Sequence, residues 1–252
     1  MKKKNMVVGQ DLTPDWVKKI GTMLAEIFHQ LHLGLKEPGK GLSLEQVQAF
    51  IEHRDPFAKV TTRIVDAYEH IRRDWEKFYK DNFNLTVDFS GVRIPKCPGI
   101  GWRLLIIAQG LGPERVYQIS QQVFGKAWKY YGASLDDVVT KNERFNQDSS
   151  YAIWVKDGQE ADEVHKNKSA IQVEKEKLFT ETCLERLIHG LKFFRETGKH
   201  LDVKIITLCS GSRYDRGDVP GVGWNGFGGK LSVRWDDSDS ADYDLRAREV
   251  VS

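Results

Sequence analysis

The feature that most limits what this chain can fold into is a change of hydrophobic period near residue 82. Before it, apolar residues recur every three or four positions; beyond it they alternate in short runs separated by Gly, Asp, Asn and Ser. A period near 3.6 buries one stripe of a helix, and a period of two buries one face of a strand. The chain is therefore expected to be α+β, with a helical N-terminal region over residues 1–82 and a mixed domain over 83–252.

In the helical part, Thr13, Pro14 and Asp15 form a cap followed by a proline at the first helical position. Trp16, Val17, Ile20, Met23, Leu24, Ile27, Phe28 and Leu31 continue at helical spacing. Gly34, Pro38, Gly39 and Gly41 end that pattern. Ser43 to Gln46 then read as a capping box opening a second helix, and a third after Pro56 carries Val60, Ile64, Tyr68, Ile71, Trp75 and Phe78 on one side.

In the mixed part, NLTVDF, WRLLIIAQG, SYAIWVKDG and KIITLCSGSR read as strands, and GPERVYQISQQVFG as a helix with proline at its start. WKYYGASLDDVVTKNERFNQDSS is loop-rich. Two further helices are expected, one from about Glu160 to Lys175 and one opening with the capping box Thr182 to Glu185. Leu184, Leu187, Ile188, Leu191 and Phe194 form the stripe of the latter, and Gly198 supplies its left-handed stop.

Composition enters where function classes must be excluded. Among 252 residues, 40% are hydrophobic and 29% charged, and no apolar run approaches the roughly 18 residues of a membrane span. A net charge of +2 gives no global attraction for nucleic acid or anionic lipid. After MKKKN only Met6, Val7 and Val8 are apolar, too few for a signal peptide, so a cytoplasmic location is expected. Cys97, Cys183 and Cys209 are scattered without zinc or redox spacing and read as buried, reduced thiols.

Few constellations suggest chemistry. Asp236, Asp237, Asp239, Asp242 and Asp244 offer clustered oxygens, but no register supplies both the glycine and the glutamate of a calcium loop, so a solvated acidic loop is expected. GVGWNGFGG does not pass from a strand into a helix and reads as a tight turn between strands. Cys209 and His200 lack an orienting acid. HIRRDWEKFYK and GKAWKYYG interleave cations and aromatics, yet their aromatics fall at core-like positions. No catalytic residue, metal or cofactor is expected, and nucleic acid is not the favoured partner.

Four blocks in order carry a resemblance: RLLIIAQGLGPERVYQISQQVFGKAW, SYAIWVKDGQEADEVHKNKSA, LERLIHGLKFFRETGKHLDVKIITLCSGSR and VPGVGWNGFGGKLSVRWDDSDSADYDLRAREVVS. Together they resemble the variable proteins of diversity-generating retroelements, in the form common among small-genome bacterial lineages, over roughly residues 93–252. The resemblance implies a C-type-lectin-like fold and a non-enzymatic display surface for an unidentified protein or other macromolecular ligand. It further implies that a reverse transcriptase copies a template repeat with errors at adenines and rewrites the gene's 3′ end, here about residues 210–252.

The genetic code offers a check on that implication. Adenine changes in AAC or AAT codons reach many residue types but never Trp, Lys, Glu, Gln or Met. Between Tyr214 and Asp244 the excluded types are Trp224, Lys230 and Trp235, each inside a framework block. Strand alternation would turn Leu231, Val233 and Trp235 inward and Ser232, Arg234 and Asp236 outward, with Gly221, Gly223 and Asn225 outward opposite Val222 and Trp224. The expected ligand-binding positions are Tyr214, Arg216, Asp218, Gly221, Gly223, Asn225, Phe227, Ser232, Arg234, Asp236, Asp237, Asp242, Tyr243 and Asp244.

Two rivals remain from other classes. One is an enzyme of the formylglycine-generating type on the same fold, which needs paired thiols and has only Cys183 to pair with Cys209. The other is a nucleic-acid or regulatory adaptor acting through residues 57–80.

Overall fold

A computed structural model describes residues 14–37, 40–52 and 58–252. The Thr13 cap and the side chains of Trp16, Val17, Val60 and Ile64 lie outside the described residues. The chain divides into two compact units, Met1–Tyr68 and Glu69–Ser252. Among the described residues no helix is long and apolar enough to cross a membrane.

In the first unit, α1 (Pro14–Lys36) follows the helical spacing and α2 (Leu44–Ile51) opens at its predicted capping box. The capping box is reciprocal: Gln46 N–H donates to Ser43 Oγ at 3.2 Å, and Ser43 N–H donates to Gln46 Oε1 at 2.8 Å. The stripe of α1 is not buried as expected, since Met23, Leu24 and Phe28 are exposed.

The helix α3 (Ala58–Phe83) runs through the division, so the second unit begins at Glu69 and not after residue 82. Its C-terminal half belongs to that unit because Trp75, Phe78, Tyr79 and Phe83 are buried there. The Tyr79 hydroxyl ties the helix to a strand, donating to Ile106 O at 2.6 Å and accepting from Ala108 N–H at 3.2 Å.

The second unit is mixed α and β, with predominantly antiparallel sheets. In one, β1 (Trp102–Ile107) and β10 (Val250–Val251) flank β4 (Tyr151–Lys156), both antiparallel to it. The larger sheet has the order β2 (Ala127–Lys129), β8 (Lys230–Asp236), β7 (Val219–Asn225), β5 (Ile206–Leu208), β9 (Leu245–Arg246), with parallel pairing only at its two edges. A third pairs β3 (Val139–Asn142) with β6 (Ser212–Tyr214).

Helix α4 (Pro113–Phe124) starts at Gly112, which has no side chain to cap it, so Asp136 of α5 (Leu135–Val138) reaches across to accept from Glu114 N–H at 3.0 Å. A Cβ at Gly112 would stand 2.4 Å from that carboxylate and displace it from the helix start.

Two expectations about local structure are corrected. NLTVDF alternates in burial, ending on buried Phe89, but pairs with no strand, because α3 runs to Phe83 and Asn84 then turns left-handed. The helix expected from Glu160 to Lys175 is only α6 (Ala170–Lys175), preceded by a single 3₁₀ turn, Glu163–His165. Left-handed Asn167 interrupts the first turn, and Ser169 restarts the helix with its own capping box.

Helix α7 (Cys183–Thr197) opens at the Thr182 capping box and stops at Gly198, φ 70°. It contacts both β1 and β7, so even its polar face is buried. That is tolerable only if each charge is paired. Glu185 accepts from Arg144 Nε at 2.7 Å and from the Tyr151 hydroxyl at 2.8 Å. Arg186 Nη2 and Arg248 Nη2 each lie 2.7 Å from a different oxygen of Asp202.

Candidate functional site

The five-stranded sheet has two unlike faces. Val222, Leu231 and Val233 point to the side where α4 and α7 pack and are buried, as alternation predicts. Trp224 shares that side, half-buried, its ring nearly parallel to that of His200 at 5°. Trp235 is also only half-buried and meets the ring of Tyr130 edge-on at 5.7 Å.

One end of the opposite face is covered by α6. There Val219, Leu208 and Leu245 pack with Ala170 of α6 in a small second core. The helix is held down by a hydrogen bond from Ile171 N–H to Ser238 O at 3.0 Å. Beyond this cover the face opens into a cleft of about 520 Å³, within the range of ligand sites. Its floor and rim include Gly223, Asn225, Ser232, Arg234 and Asp244, and its sides Trp128, Ile205, Ile206 and Lys230.

Pairing explains the convergence. Gly223 stands opposite Ser232 and Gly221 opposite Arg234, so these side-chain directions share one face. Trp128 joins them because β2 pairs in parallel register with β8, placing it beside Ser232. The expectation that the aromatics of GKAWKYYG are core residues is therefore corrected: Trp128 and Tyr130 are exposed. In HIRRDWEKFYK the expectation holds, since Trp75 and Phe78 are buried, while Arg73 pairs with Glu69 and Lys77 with Asp81.

The charges of the cleft are organised around Arg234. Its guanidinium forks onto Asp236, with Nε–Oδ2 3.1 Å and Nη2–Oδ1 2.9 Å, and stands 3.9 Å from Asp244. Burial pushes the Asp236 carboxyl up, and Arg234 offsets only part of that. Lys230 Nζ lies 5.5 Å above the Trp128 ring. The cleft thus presents a flat aromatic face, cations on flexible stems and a carboxylate, groups that suit polar, charged chemistry in a ligand.

The remaining predicted positions separate by burial. Arg216, Phe227, Asp237, Asp242 and Tyr243 are exposed in turns outside the cleft, and Asp218 is half-buried. Tyr214 is not an exposed contact: it faces inward on β6, touches Tyr131 and donates to Arg234 O at 3.2 Å. Asp236 and Gly221 lie on the right face but are buried beneath Arg234 and Ile206, so neither is presented to solvent. A Cβ at Gly221 would come 2.2 Å from the Asp236 carboxylate, and one at Gly223 would come 3.1 Å from Ile205 O.

Sequence reasoning missed Trp128, Ile206 and Lys230. Ile206 lies in KIITLCSGSR, a stretch legible as a strand, but the pairing of Trp128 with a strand a hundred residues later leaves no local signal. The cysteines Cys183 and Cys209 are free and buried. Burial pushes the Cys183 thiol up to about 12 and the Cys209 thiol well above its ordinary value, so both stay protonated and weakly nucleophilic. His200 is occupied by Trp224 and Phe194.

Of the acidic run, Asp237, Asp239 and Asp242 are exposed, while Asp236 and Asp244 turn toward Arg234. A donor set suited to a cation lies elsewhere, at Asp162, His165 and Glu249. No family profile matches the chain, and no curated protein or solved structure matches it.

Proposed function

We propose that the protein is a non-enzymatic, hypervariable display protein of a diversity-generating retroelement, its second unit a C-type-lectin-like domain and its ligand a protein or other macromolecule. The observation that carries this reading is the convergence of Gly223, Asn225, Ser232, Arg234 and Asp244 on one cleft, while their neighbours Val222, Leu231 and Val233 are buried. A sheet with a fixed inner face and an open outer face can change its binding residues without changing its core.

The protonated, buried state of Cys183 and Cys209 argues against the thiol-enzyme reading. The burial of Trp75 and Phe78, together with the acids beside Arg73 and Lys77, argues against a stacking nucleic-acid surface on α3.

Sequencing the gene's neighbourhood tests the proposal. A reverse transcriptase gene and a repeat nearly identical to the 3′ end, differing at template adenines opposite the codons for Asn225, Ser232, Arg234 and Asp244, are expected. A neighbourhood with neither would sink it.

A further inference from the structure

A second site stands apart from the cleft, where the single 3₁₀ turn meets the chain's last strand. Asp162 stands at the N-cap position of that turn, with no side-chain cap, and His165 ends it, its backbone N–H donating to Asp162 O at 2.9 Å. Glu249, just before β10, is brought to them by its own backbone, whose N–H donates to the Asp162 carboxylate at 2.9 Å and which forms a single antiparallel bridge with Thr180.

The three side chains offer one imidazole nitrogen and two carboxylate oxygens within 4.8 Å of one another. His165 is the telling member. It is 4% exposed, and both ring nitrogens are buried without a hydrogen-bond partner. Nε2 faces Glu249 Oε2 at 3.5 Å, too long for a hydrogen bond. A buried polar atom left in this state loses its water without compensation, and such atoms call for an explanation.

We propose that Asp162, His165 and Glu249 bind a divalent cation of the zinc type, clasping the 162–165 turn to the C-terminal strand. One nitrogen and two oxygens suit zinc better than calcium or magnesium, which prefer all-oxygen shells. Ligands on tetrahedral zinc stand about 3.3 Å apart at bond lengths of about 2.0 Å, so atoms now within 4.8 Å of one another close in by up to about 1.5 Å on binding. Glu249 can supply that movement because its side chain is 33% exposed. Lys156 Nζ, 3.9 Å from Asp162 Oδ2, holds a positive charge there and, at 39% exposure, is free to swing out when the metal enters. A cleft lined by Lys156, Glu160, Asp162, Glu163 and Arg246 provides the path, and solvent beside Glu249 leaves a fourth position for water.

The full chain, stripped with chelator, is titrated with Zn²⁺ by calorimetry and with Co²⁺ by visible absorption. One equivalent is expected to bind, raising the melting temperature and giving the d–d bands of bound cobalt. His165→Asn and Glu249→Gln are each expected to weaken Zn²⁺ binding about tenfold or more, while His200→Asn leaves it unchanged. Glu249→Gln guards against misfolding, since the side chain is partly exposed and circular dichroism of the chelated protein should match that of the parent. Absence of stoichiometric binding, or binding that survives both Glu249→Gln and His165→Asn, overturns the site.

Discussion

Glu181 and His189 are both buried completely, with Glu181 Oε1 2.8 Å from His189 Nδ1. Burial pushes the Glu181 carboxyl up to about 8, and burial together with Arg248 and Arg186 drives the His189 imidazole well below its usual value. At neutral pH the pair is therefore a protonated carboxyl hydrogen-bonded to a neutral ring. A carboxyl whose folded pKa is raised holds its proton longer folded than unfolded, so stability falls as pH rises from about 4.5 to about 8. Glu181→Gln keeps a donor but cannot ionise, so its melting temperature relative to the parent should climb across that window. A constant difference between the two melts would mean that Glu181 is already charged when folded. Asp202 carries the opposite sign. Burial alone would raise it, but Arg248 and Arg186 outweigh that and hold its carboxyl low. Asp202→Ala leaves two buried guanidiniums without their shared anion and should cost about 3–5 kcal/mol in urea unfolding at pH 7.

At the scale of elements, β7 and β8 set which positions can vary. Asn225, at the exposed end of β7, has room for a large side chain, so Asn225→Tyr should lose little beyond the hydrogen bond that its Oδ1 accepts from Gly228 N–H at 3.0 Å, about 0.5–1 kcal/mol in chemical denaturation. Gly223→Val instead drives a branched side chain toward Ile205 O and Ile206 and should cost about 1–3 kcal/mol. Equal costs at the two positions would show that the cleft floor yields more easily than its packing implies. The strand pattern was readable in the sequence because Val222 alternates with glycines and Leu231 and Val233 with polar neighbours. Tyr214 was not readable, because β6 is three residues long and too short for alternation to distinguish a tyrosine facing in from one facing out.

For the whole molecule, the second unit depends on a helix that the periodicity assigns to the first. Trp75, Phe78, Tyr79 and Phe83 form an edge-packed aromatic cluster that also includes Phe89. A fragment of residues 69–252 is expected to unfold cooperatively, whereas residues 83–252 should lack a cooperative transition, having lost Trp75, Phe78 and Tyr79. Calorimetry of the two fragments checks this, and equal cooperativity would place the boundary where the change of hydrophobic period lies.

The sequence by itself determined the α+β class, the starts of α2 and α7, the Gly198 stop and the inward residues of β7 and β8. Capping, left-handed glycine and alternation act over a few neighbouring residues, so their effects are written locally. Only the tertiary structure decided that Trp128 walls the cleft, that Tyr214 is buried, that α3 enters the second core and that Asp162 and His165 meet Glu249. Each depends on which distant segments pair, and pairing is settled by the packing of the whole core, not by the spacing of residues along one segment.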